Sequence, residues 1–209
     1  MKPRRRVQKN EKTKQAILEA ALDLFATKGF YATTTKAIAK KARMAEGTLL
    51  NCFETKEDLA LYFFEEERTE LMAWYRANRR LKKADIAEKL FAIIQHMLER
   101  FEPYEEFIGA VYMRALNPTS KLSPFNIESQ ERHLRYLRFV REILLEAEAE
   151  GEVPPFGDFG AYAFGLFQLG ILTHWLRDPS PGKEETLALL DRSLKMGTHF
   201  LLNKGGWNW

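Results

Sequence analysis

The segment from Ala45 to Phe53 carries the residues best suited to chemistry with a polyanion. Leu49 and Phe53, four apart, fall on one side of a helical turn and form an inward face. Glu46, Thr48, Leu50, Asn51 and Cys52 are left nearer the outward side. A short helix presented this way can enter the major groove of duplex DNA, where polar side chains hydrogen-bond with base edges. Asparagine can pair bidentately with adenine, and glutamate can accept from the cytosine amino group. Gly47 stands inside this helix, where glycine costs about 1 kcal/mol relative to alanine. Close approach of its backbone to a phosphate, or to a neighbouring helix, would account for it.

The elements that position this segment are helical. Ile17, Ala20, Ala21, Leu24 and Phe25 follow the i, i+3, i+4, i+7, i+8 rule of a first helix, which Lys28-Gly29 ends. Thr33 to Thr35 offer hydroxyl caps for a second short helix that turns Ile38, Ala39 and Ala42 inward. Thr55-Lys56-Glu57-Asp58 fits a capping box opening a long fourth helix that reaches about Arg80. Beyond Lys82 the periodicity stays helical. Leu90, Ile93, Ile94, Met97, Leu98 and Phe101 line a fifth helix, 104–116 forms a sixth, and a charged seventh runs from about Asn126 to Glu150. An uncharged eighth and a ninth complete an all-α chain of about nine helices, with no internal repeat.

Charge is distributed unevenly over the 209 residues. Residues 1–56 hold 13 Lys and Arg against 5 Asp and Glu, while 57–209 hold 19 against 24. The basic end, with Lys2, Arg4, Arg5, Arg6 and Lys9, suits a polyanionic partner. A single cysteine, Cys52, excludes an intrachain disulfide and points to the cytoplasm. No apolar stretch follows Arg4 to Arg6 before Ile17, so no export signal is expected. Phe159 to Leu176 is 18 residues without a charge, at the lower limit for a membrane span. Gln168, Thr173 and His174 within it favour a buried helix instead.

Residues 10–60 resemble the N-terminal domain of the TetR/AcrR family of one-component transcriptional regulators. The resemblance rests on Leu24-Phe25 through Gly29-Phe30, on Thr33-Thr34 to Ala42, on Gly47-Thr48-Leu49, and on Phe53 to Leu59. It implies a helix-turn-helix DNA-binding domain over 1–60 and a ligand-binding and dimerisation domain over 61–209. It further implies that Thr34, Thr35, Lys36 and Lys56 touch phosphates, fixing register, while Glu46, Thr48 and Asn51 meet base edges. Gly47 and Leu50 complete the expected DNA-facing set. The chain departs from the family at Arg43, where glycine is usual at a turn that often needs positive φ. It departs again at Leu50, where tyrosine is common, and at Cys52, where tyrosine or histidine is common.

The same resemblance implies a two-fold dimer on a palindromic operator. Leu187, Leu190, Leu194, Gly197 and Leu201 form a seam on the ninth helix, and Gly160, Gly165 and Gly170 on the eighth would admit a partner backbone. Helices five to eight should surround an effector. Phe101, Tyr104, Phe107, Met113, Phe164, Phe167 and Trp175 supply apolar surface, with His96, Tyr112, Arg114, Gln168 and His174 as orienting groups for an aromatic or lipid-like molecule. The four histidines lie far apart in sequence, and no phosphate loop, nucleophile elbow or carboxylate pair stands out, so neither metal, cofactor nor catalysis is expected. The expectation is a ligand-responsive repressor whose fourth helix transmits the effector signal. The alternative is a helical small-molecule-binding protein with a degenerate DNA head, suggested by Arg43, Leu50 and Cys52.

Overall fold

The computed structural model describes the backbone of residues 3–123 and 127–203, with side chains for 10–123 and 133–200. The basic N-terminal side chains, the side chain of Leu201 and the Gly205–Trp209 tail lie outside what is described. The helices are α1 (Pro3–Lys28), α2 (Thr35–Lys41), α3 (Glu46–Leu50), α4 (Lys56–Ala77), α5 (Ile86–Phe101), α6 (Glu105–Ala115), α7 (Ile127–Ala149), α8 (Asp158–Trp175) and α9 (Glu184–Asn203). No strand is present among the described residues.

The chain divides into two compact units, one of residues 1–66 and 101–130 and the other of 67–100 and 131–209. In the first unit α1 packs on α2 and α6, and α2 on α3. Its centre is aromatic: Phe107 of α6 stacks on Phe25 of α1 at 4.8 Å between centroids and meets Phe63 of α4 edge-on at 5.4 Å. Such pairs add about 1 kcal/mol each beyond the area they bury. Ile17, Phe25, Phe30, Ile38, Leu49, Leu59 and Ile108 fill the rest of this core.

Local chemistry fixes the ends of these helices. Gly29 closes α1 at φ +78°, its N–H donating to the Phe25 carbonyl at 2.9 Å. An added Cβ there would lie 3.0 Å from the Glu106 carboxylate, so backbone and space both favour glycine. The buried Thr33 hydroxyl donates to the Gly29 carbonyl at 2.8 Å and turns the chain toward α2. Thr34 caps α2, its hydroxyl accepting from the Ala37 N–H at 3.1 Å. The capping box of α4 forms: Thr55 N–H donates to Asp58 Oδ2 at 2.9 Å, and Asp58 N–H to Thr55 Oγ1 at 3.2 Å.

In the second unit α8 packs on α9. Asp178, buried between them, accepts from the N–H and hydroxyl of both Ser180 and Thr186 at 2.6–2.9 Å. It thereby satisfies the Thr186 amide in the first turn of α9 and the Ser180 amide before it. Gly160 of α8 is a point of close approach within the chain, because a Cβ would sit 2.9 Å from Phe156 Cβ and 3.1 Å from Leu144 Cδ1. Gly170, by contrast, faces open space. No described helix is long and apolar enough to cross a membrane, which answers the uncharged run at Phe159 to Leu176.

Candidate nucleic-acid interface and effector residues

Helix α3 has only five residues and no side-chain cap, too little to be stable alone. It is held by its inward pair: Leu49 is fully buried, and Phe53 is buried against Tyr62 with centroids 5.3 Å apart. Glu46, Gly47, Thr48, Leu50 and Asn51 are all exposed, so the expected outward face stands clear of the unit. A Cβ on Gly47 would meet nothing within 4 Å. Packing against a neighbouring helix therefore does not explain this glycine.

Around α3 the expected phosphate contacts are partly engaged within the chain. The Thr34 hydroxyl serves as the cap of α2, and that of Thr35 donates to Glu46 Oε1 at 3.2 Å. Lys36 is exposed. The Lys56 ammonium donates to the Phe30 carbonyl at 2.7 Å and lies 4.7 Å above the Phe30 ring. Burial lowers its affinity for the proton, opposed by Glu57 and reinforced by Arg114. Lys56 thus clamps the α1–α2 turn with one face and keeps only part of its donor capacity. Cys52 donates weakly to Asn10 Oδ1 at 3.7 Å. Arg43, between α2 and α3, has φ +55°, the left-handed conformation its place in the sequence suggested.

The effector candidates fall in different places. Phe101, Tyr104, Phe107, Tyr112, Met113 and Arg114 belong to the first unit, whereas His96, Phe164, Phe167, Gln168, His174 and Trp175 belong to the second. Phe107 and Phe101 are core, Met113 is exposed, and Arg114 pairs with Glu57. Tyr104 meets Phe63 edge-on at 5.6 Å. The reason is that α6 lies against α1 and spends its apolar face there.

Within the second unit, Gln168 of α8 accepts from the Tyr136 hydroxyl of α7 at 3.1 Å and donates to Met97 Sδ of α5 at 2.9 Å. His96 stacks flat on Trp74 at 4.0 Å, with its pKa lowered by burial and by Arg100 against the pull of three nearby glutamates. His174 Nδ1 is 2.8 Å from Thr186 Oγ1. Because that hydroxyl gives its hydrogen to Asp178, the imidazole carries its own on Nδ1. Trp175 is buried beneath the Lys183 ammonium, 5.1 Å above its ring. Phe164 is buried and packs on Phe167.

Two groups in this unit escaped the sequence reading. Lys89 is only 1% exposed, its stem covered, and its ammonium makes no hydrogen bond or ion pair among the described residues but keeps a solvent-accessible nitrogen. The Tyr75 hydroxyl is the buried side-chain polar atom without a partner among them, its pKa pushed up to about 12 by burial and by Glu146. The signal for Lys89 was present: it interrupts the apolar stripe of Ile86, Leu90, Ile93 and Ile94, where a charged residue is out of place.

Comparison with known proteins bears on the whole arrangement. Residues 17–63 match the family described as "Bacterial regulatory proteins, tetR family", and 89–205 match "Tetracyclin repressor-like, C-terminal domain". The chain belongs to the TetR family. It is a DNA-binding transcriptional regulator, and members of this family are regulators rather than enzymes as a rule. An uncharacterized HTH-type transcriptional regulator of Bacillus subtilis, YvkB, is 32% identical over 46% of this chain and 49% of its own length, so the match spans about half of that relative. The fatty acid metabolism regulator protein of the same organism is 27% identical over 66% of this chain and 69% of its own. Thermus thermophilus FadR, a TetR-family repressor solved in complex with lauroyl-CoA, superposes with a TM-score of 0.67 at 21% identity, covering 88% of this chain and 94% of that one. At that identity the likeness speaks for the fold.

Proposed function

We propose that this TetR-family chain represses transcription as a homodimer, and that an amphipathic anion releases it from a palindromic operator. The observation that carries the DNA reading is the exposed α3 face, with Leu49 anchored behind it and Gly47 free of any neighbour. With no internal packing role, Gly47 suits close approach of the backbone to DNA. On this reading Thr48 and Asn51 meet base edges, Lys36 and the remaining donors of Lys56 meet phosphates, and Thr34 and Thr35 hold the geometry. The DNA-binding segment ends near residue 60, and the remainder serves effector and pairing.

Pairing rests on the apolar surface of α8 and α9. Of the seam expected on α9, Leu190 and Leu194 are buried, Leu187 and Gly197 are half-buried, and the Leu201 side chain lies outside the described residues. A different set is bare: Phe159, Tyr162 and Leu166 on α8, and Leu189, Met196 and Phe200 on α9. Large apolar side chains exposed on two helices that pack on each other suit an interaction site, and two copies of one such face suit an isologous contact. The α8 helix, apolar on every side, would then be covered on every side.

Lys89 supports a class of effector. Its stem is buried among apolar residues while its ammonium has no internal partner among the described residues, so an anionic group with an apolar body suits it. An amphipathic anion of the fatty acyl kind combines the two, and two of the relatives named above concern fatty acid metabolism and lauroyl-CoA. Selecting duplexes with the pure protein, then titrating laurate or lauroyl-CoA onto the complex, tests the reading. The expected outcome is a palindromic consensus, steep weakening of binding with salt, and release by the acyl anion. Absence of salt-dependent DNA binding would instead support a small-molecule-binding protein with a decayed head.

A further inference from the structure

The end of α2 is built from three hydrogen bonds. Ala42 N–H donates to the Ile38 carbonyl at 2.8 Å, Arg43 N–H to that of Lys40 at 3.2 Å, and Met44 N–H to that of Ala39 at 3.0 Å. The last two form a Schellman closure, and it requires a left-handed residue at the position of Arg43. Helix α7 ends with the same closure: Gly151 N–H donates to Glu148 and Glu152 N–H to Ala147, with Gly151 at φ +75°. Helix α1 also uses a glycine, Gly29, for its left-handed stop. The left-handed stops of α1 and α7 are glycines; the one at the edge of α3 is an arginine.

Two non-glycine residues among those described hold positive φ, Arg43 and Lys183. Lys183 is fastened by its side chain, the ammonium donating to the Asp178 carbonyl at 3.0 Å and covering the Trp175 ring. Arg43 has no such internal attachment: it is exposed and makes no side-chain hydrogen bond or ion pair among the described residues. Lys40 and Lys41 stand in the last turn of the preceding helix, close to Arg43 in sequence, with Lys41 paired to Asp23. The closing hydrogen bonds apart, no side-chain contact of Arg43 among the described residues offsets the strained backbone.

We infer that Arg43 is a DNA-backbone contact of this chain, retained at a strained turn because its guanidinium grips a phosphate beside α3. The inference rests on the DNA-binding reading above and adds to it a residue outside the expected set. Its logic is substitution of one contact for others. Leu50 carries no donor, and the Cys52 thiol is a weak one already facing Asn10. Arg43 has five N–H donors suited to a phosphate, and sits at the turn that leads into α3.

The test compares R43G, R43A and R43K by thermal melting and by fluorescence anisotropy with a labelled random-sequence duplex over a salt series. R43G relieves the backbone and removes the contact. It should melt a few degrees higher, bind several-fold more weakly at low salt, and lower the slope of log K against log salt by about 0.9 per head. R43A keeps the left-handed backbone strained and loses the charge, so it should bind as weakly as R43G without the thermal gain. R43K should keep the slope. An R43G protein that melts higher yet binds with wild-type affinity and slope overturns the inference alone. A wild-type chain that binds no duplex even at low salt overturns the DNA reading and the inference together.

Discussion

Thr35 Oγ1 donates to Glu46 Oε1 at 3.2 Å, tying the first turn of α2 to the first residue of α3. The bond orients a carboxylate on a surface otherwise suited to phosphates, at the helix N-terminus where a negative charge is locally favoured. Its consequence for DNA is repulsion: a unit charge about 6 Å from a phosphate in water costs about 0.7 kcal/mol. Glu46→Gln keeps an acceptor for Thr35 and removes the charge. Non-specific affinity should rise about threefold at low salt, with the gain fading as salt increases. Anisotropy titrations at two salt concentrations check this, and an unchanged low-salt affinity would place the carboxylate away from the backbone.

The bare α8–α9 face leads to a prediction about assembly. Leu166 is 65% exposed in the single chain. Burying a leucine contributes about 1.5–3 kcal/mol, and in a two-fold dimer each substitution acts twice. Leu166→Glu should therefore raise the dimer dissociation constant at least a hundredfold, leave helicity intact, and weaken operator binding. Sedimentation equilibrium beside circular dichroism separates these effects. A dimer as tight as wild type would move the interface off this face.

How much of this was legible in the sequence depended on the range of the interaction. The capping box at Thr55, the stop at Gly29 and the inward pair Leu49 and Phe53 are settled by neighbours within a few residues, and the pattern displays them; the left-handed turn at Arg43 was legible only through the family resemblance. The effector residues were harder to place. Phe107 is a large apolar residue on an amphipathic helix whichever helix it faces, and only the packing of α6 on α1 decides that it is core of the first unit. The α9 seam is a related case: period alone marks two apolar stripes, Leu190 with Leu194 and Leu189 with Met196 and Phe200, without saying that the first pair is buried in the single chain and the second set exposed. Lys89 was overlooked because apolar periodicity was followed past it.

Lys89 gives a prediction that separates charge from packing. Methionine keeps the buried stem and removes only an ammonium that reaches solvent, so the fold should change little. Lys89→Met should leave the melting temperature of the free protein within about two degrees while lowering laurate affinity tenfold or more. Dodecanol, which has the chain without the carboxylate, should bind both proteins alike. Calorimetric titration of both ligands checks it, and equal laurate affinity would remove Lys89 from the effector site.

Acid should destabilise the second unit in two stages. Burial, reinforced by Arg68, pushes the His133 imidazole down to about 4, below its ordinary 6.5. Between those values the unfolded chain binds a proton that the folded chain does not, so stability falls as pH drops from 6.5 toward 4. Discounted for partial exposure, the loss is on the order of 1 kcal/mol. Asp178 acts lower. Burial favours its neutral form, but the hydrogen bonds from Ser180 and Thr186 outweigh it and hold the carboxyl well below its usual 3.8. Its contribution is complete above 3.8 and is lost as pH falls below that value. Urea melts from pH 7 to 3 should show a first decline that His133→Gln abolishes and a later one that Asp178→Asn abolishes. A His133→Gln protein that still lost the same stability between pH 6.5 and 4 would assign the first stage to another group.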